Sequence, residues 1–134
     1  MSIKLKYFTI PEAEMLIPTI IELIAAAQET KVRIEKKVDD WRKVHKTVSE
    51  AEEAVLRGQV DFLASHLETQ LGKISELGAV PKDLDLGLID FPARINHKEG
   101  YLCWKLGENK IQYWHTLTDG LPGRKPITKD TKIN

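Results

Sequence analysis

The residues best equipped for chemistry in this chain are Asp90, Arg94, Cys103, Glu108, His115 and Arg124. Cys103 is the only cysteine. It stands with His115, two tryptophans and two tyrosines in YLCWKLGENKIQYWH, residues 101–115. Histidine exchanges protons near neutrality, and His, Asp and Glu are ordinary ligands of zinc. Arginine beside a glycine-rich backbone, as in GLPGRK, can hold a carboxylate or phosphate. A cysteine becomes a nucleophile only with a base close by and a lowered pKa. No Ser–His–Asp pattern, P-loop or dinucleotide fingerprint is present. His45 and His66 lack a second ligand at helical spacing.

Strands must position most of these residues. GLIDFPARI, YLCWKL and IQYWHTL are rich in β-branched and aromatic residues, and NHKEG and GENK separate them. Connections this short give antiparallel neighbours. A two-residue turn at Glu108–Asn109 predicts that Leu102 faces His115, Trp104 faces Tyr113 and Cys103 faces Trp114. Alternation then puts His115 with Leu102, Trp104 and Tyr113 on the face that packs against helices, and Cys103 on the other face, where it is inert. Glu108, at the hairpin tip, lies roughly 20 Å from His115, too far to share an ion with it. Arg94 falls level with His115, and Asp90 some 10–13 Å away, at about 3.3 Å per residue. Asp90 nonetheless sits between Ile89 and Phe91 and needs a partner if buried. This register gathers Arg94, His115 and Arg124 into an anion pocket, with Asp90 as a partner acid. A metal site at His115 and Asp90 is a further alternative. No metal or other cofactor is expected on the leading reading.

The first half reads as helix. Thr9 and Glu12 have the capping-box spacing, and Pro11 is tolerated in a first turn. Ile20, Ala27, Ile34, Trp41, Val48 and Val55 recur every seven residues, the spacing of a coiled coil. Pro18 should kink this helix. Gly58 offers a break, and Val60, Leu63, Leu67, Ile74 and Leu77 mark a second helix capped by Gly78. Helices over 10–57 and 60–77 would span about 70 Å and about 27 Å, so the first outruns the second. Either it breaks near Thr47, where TVSE offers another cap, or a second copy of the chain covers it. The persistence of the stripe favours the second copy, hence a homodimer.

Composition narrows the class. The chain has 134 residues, enough for one domain with a modest core, and carries 20 basic and 20 acidic residues. Zero net charge gives no field toward nucleic acid or an anionic membrane. The charged run after Lys31 mixes both signs and reads as a solvated helix face. One cysteine excludes an internal disulfide and a Cys-rich zinc site. The apolar run Ile20–Ala27 is too short to span a bilayer, no secretory signal is visible, and the cytoplasm is the default compartment.

The blocks FTIPEAEMLIP, KDLDLGLIDFPA, YLCWKLGE, IQYWH and DGLPGRKPI resemble those of a family of short prokaryotic proteins, domain of unknown function 2203. The resemblance spans nearly the whole chain and supports these element boundaries. One departure is Glu14, where such proteins often carry asparagine. The resemblance implies no activity. The expected architecture is α+β: a long antiparallel helical hairpin, a three-stranded antiparallel meander at 87–117, and a frayed tail from 118. The expected function is a cytoplasmic binding or assembly module that dimerises through its long helix. The rival is an enzyme or ligand-binding protein taking a small anionic ligand at Arg94, His115 and Arg124.

Overall fold

A computed structural model describes residues 6–134. Helix α1 (Ile10–Val44) and helix α2 (Glu50–Glu76) form a hairpin. Five strands follow: β1 (Val80–Asp83), β2 (Leu88–Ile95), β3 (Lys98–Lys105), β4 (Tyr113–Thr116) and β5 (Lys125–Pro126). They pair antiparallel in chain order, a simple meander.

Local chemistry accounts for the helix ends. The Thr9 hydroxyl accepts the Glu12 N–H, and the Glu12 carboxylate accepts the Thr9 N–H, a complete capping box. These bonds hold the Glu12 carboxyl below the usual range, the Thr9 backbone N–H contributing most. The long helix of the sequence reading breaks in the region of Thr47. Ser49 caps α2 by accepting the Glu52 N–H, so Gly58 lies inside α2 instead of ending a helix. The physical reason is that a side-chain cap supplies partners for orphan N–H groups, whereas Gly58 merely permits a turn. With 35 and 27 residues the two helices are now comparable in length. Gly78, at φ +93°, terminates α2 with its N–H on the Ser75 carbonyl, as expected.

The core lies between one sheet face and the near half of the hairpin. Ile17, Ile20 and Ile24 of α1 and Ile74 of α2 meet Ile89, Phe91, Ala93, Leu102 and Trp104. Phe8 adds an edge-to-face contact with Phe91, its N–H donating to the Pro92 carbonyl. Past Thr30 in α1, and before Leu63 in α2, no residue is fully buried. The far half of the hairpin is therefore a two-helix stem standing clear of the sheet.

Three expectations about the second half change. The sheet has five strands, not three, because the supposed connector supplies β1 and the tail supplies β5. The tail is docked: Ile133 bridges to Ile95, and Asn134 donates to the Arg94 carbonyl. The β3–β4 connection is a wide loop of residues 106–112, not a two-residue turn. Pairing runs Cys103 with Tyr113, Leu102 with Trp114 and Tyr101 with His115, one residue from the expected register. A one-residue slip sends every β4 side chain to the other face. Trp114 therefore turns to the helices and His115 away from them. The β2–β3 turn is tight, with Asn96 and His97 both at positive φ, the backbone of a two-residue hairpin loop.

Candidate functional site

On the sheet face turned from the helices, three chemistry-bearing residues converge. Asp90 lies directly opposite Cys103 across β2 and β3. His115 reaches in diagonally from β4. Their ligand atoms all lie within 4.8 Å of one another, and all three residues are buried. His115 Nε2 is 3.0 Å from Asp90 Oδ2, and His115 Nδ1 is 2.7 Å from the Thr116 carbonyl. That carbonyl only accepts, so Nδ1 carries a hydrogen and donates to it. Asp90 Oδ1 is buried with no hydrogen-bond partner. Tyr101 covers the His115 ring, with centroids 5.3 Å apart.

Arg124 closes the cluster from the segment before β5. It donates from Nε to Cys103 Sγ at 3.2 Å and from Nη2 to the Cys103 carbonyl at 3.1 Å. It meets Glu108 in a two-pronged pair, at 3.0 and 2.5 Å, and lies 4.2 Å from the centre of the Tyr113 ring. Burial by itself would lower the guanidinium pKa, but Glu108 and Cys103 raise it on balance. Glu108 is folded back toward β3, taking the Lys105 N–H, while its carbonyl takes the Trp104 indole N–H.

Sequence reasoning thus placed these residues only in part. Asp90, expected at a distance, is in contact with His115. Cys103, expected on the opposite face from His115, shares its face. Arg124 does approach the strands, but its partners are Cys103, Glu108 and Tyr113. Arg94 is exposed at the end of β2, stacked 4.9 Å from the Tyr7 ring centre, and Pro92 occupies the row of His115. No hydrogen bond or ion pair joins Arg94, His115 and Arg124 to one another among the described residues. The Glu108–Arg124 pair was missed. One signal was available: Ile111, apolar within a polar loop, is buried outside any strand, its N–H on the Glu14 carboxylate.

Burial pushes the Cys103 thiol from 9.0 up to about 11, against the lowering effect of Arg124. Cys103 therefore ionises first in the unfolded chain. Its contribution to stability is full below about 9 and is lost as pH climbs through about 11. Native protein at about pH 8 should react with a disulfide reagent such as Ellman's only as fast as it opens. Labelling as fast as that of a free peptide thiol would contradict this burial.

The fold and site define a small α+β protein: a two-helix hairpin on an antiparallel meander, with a buried Asp–Cys–His cluster under an arginine. The chain belongs to the uncharacterized conserved protein family DUF2203, which it matches over residues 6–127. No curated protein and no solved structure matches it. Among the described residues, no helix is long and apolar enough to cross a membrane.

Proposed function

We propose that this protein is a cytoplasmic, non-catalytic assembly module that homodimerises through the stem of its helical hairpin. The observation that carries the reading is the opposite charge of the two arms. Residues 31–46 hold seven basic and three acidic residues, and residues 50–62 hold four acidic and one basic. A two-fold copy of the stem lays each basic arm along the partner's acidic arm, closing a four-helix bundle. Apolar surface suits this arrangement. Val38, Trp41, Leu56 and Val60 line a groove between the helices, and Val32, Val55 and Phe62 are exposed, Phe62 by 73%. Each arm is about 20 Å long, enough to present a surface of the size that stable dimers bury.

The buried cluster supports a module over an enzyme. Asp90 and His115 are closed off, and Arg124 is committed to Glu108, so no free arginine faces His115 to bind a substrate. The anion pocket at Arg94, His115 and Arg124 is supported less well for the same reason.

Sedimentation equilibrium tests the proposal. The protein should be dimeric at tens of micromolar, roughly the range in which even a weak dimer forms. Trp41→Glu and Phe62→Glu should each give monomers with unchanged helix content. Salt should weaken the dimer, because exposed charges are screened. A monomer at low salt and tens of micromolar sinks it.

A further inference from the structure

We propose that Asp90, Cys103 and His115 form a buried mononuclear zinc site, its fourth coordination position taken by an enclosed water. Three side chains of the right kinds already converge there: one carboxylate, one sulfur and one imidazole, within 4.8 Å of one another. Ligands held at zinc bond lengths in a tetrahedron lie roughly 3.3–3.8 Å apart. The longest separation must close by about 1 Å, while the 3.0 Å contact between His115 and Asp90 must open by a few tenths of an ångström.

Two further observations point to a cation at this spot. With Nδ1 donating to the Thr116 carbonyl, a neutral His115 offers only a lone pair at Nε2. That lone pair faces the Asp90 Oδ2 carboxylate oxygen at 3.0 Å. Two acceptors at that distance repel unless a proton or metal ion lies between them. A proton alone leaves Asp90 Oδ1 buried with no N–H or O–H donor, and only the weakly donating Cys103 thiol near the carboxylate. A cation held by this carboxylate would offset the charge on both of its oxygens. A histidine tethered through its other nitrogen to a backbone carbonyl is also the usual support of a metal-bound imidazole.

Charge and softness select the ion. Zinc with an aspartate and a cysteine thiolate is neutral, and Arg124 with Glu108 is a separately neutral pair. The Arg124 N–H at 3.2 Å from Sγ would stabilise a bound thiolate. Sulfur and imidazole disfavour calcium and magnesium, which take oxygen ligands. Cys103 reacts here only by losing its proton to solvent as the metal binds.

The test is metal loading of the full chain after chelator treatment, with zinc and with cobalt as its coloured substitute. Loading is done on native protein and during refolding from urea, since the ligands are buried and must open. We expect one ion per chain retained through gel filtration, a higher thermal midpoint, and thiolate-to-cobalt absorption. That band identifies the site, because the chain has one cysteine. Cys103→Ala should abolish the band, Asp90→Asn and His115→Gln should each lower retention at least tenfold, and His66→Gln, on an exposed part of α2, should change neither. Substoichiometric metal under both protocols overturns the proposal. So does stoichiometric cobalt without a thiolate band, which places the ion elsewhere; these wild-type readouts decide even where a variant fails to fold.

Discussion

Trp104→Ala is expected to lower the unfolding free energy by about 3–5 kcal/mol, the usual cost of deleting a large buried aromatic. Trp104 is wholly buried and level with Ile89 in the β2–β3 ladder. It fills the centre of the core between sheet and helices, so the surrounding strands cannot collapse into the space it leaves. Its indole N–H also donates 2.9 Å to the Glu108 carbonyl, which helps to fold the 106–112 loop back under Arg124. Trp104→Phe separates the two effects. It keeps most of the volume and loses the hydrogen bond, for about 1–2 kcal/mol. Since small domains are stable by about 5–15 kcal/mol, the alanine variant should remain measurable by urea unfolding at low temperature. A loss under about 1 kcal/mol for Trp104→Ala would mean that this residue is not packed as described.

Arg124→Ala should cost about 3 kcal/mol, within the range for breaking one side of a largely buried ion pair. The guanidinium side chain is 16% exposed and the Glu108 carboxylate 21%, so solvent screening is limited. Removing Arg124 strands Glu108 with only the Lys105 N–H as a partner, leaves the Cys103 carbonyl without its side-chain donor and uncovers the Tyr113 ring. Glu108→Gln alone should cost less, because the amide oxygen can still accept from Arg124. A double-mutant cycle on Arg124→Ala and Glu108→Gln should show coupling of about 1–3 kcal/mol. Additive losses would show that the pair is held apart in solution. The same variant also exposes the Cys103 sulfur, so thiol labelling should accelerate well beyond the effect of lost stability.

The chain's own pattern was enough for the helix ends at Thr9 and Gly78. Thr9 and Glu12 start α1 because their spacing closes a capping box whatever lies around them. Gly78 ends α2 because a left-handed residue is needed there. The antiparallel order and the approximate span of β2 are readable too, since short connections and side-chain alternation leave little choice. Asp90 between Ile89 and Phe91 called for a partner if buried; it is buried, and the neighbour it meets is His115, not an arginine.

Tertiary structure decided what depends on non-local registration. The sequence offered two helix breaks, at Gly58 and near Thr47; the Ser49 cap favours the second, and the mutual cover of α1 and α2 makes it the one used. The residues ENKIQ suit a two-residue turn or a wide loop equally well by composition. Ile111 entering the core and taking the Glu14 carboxylate selects the loop. That choice shifts β4 by one residue, and because side chains alternate at each residue of a strand, it moves His115 from the helix side of the sheet to the side of Cys103 and Asp90. The Glu108–Arg124 bridge closes over sixteen residues of chain and leaves no periodic trace. Element types follow from neighbours a few residues apart, whereas this site exists only once a whole sheet has chosen its register.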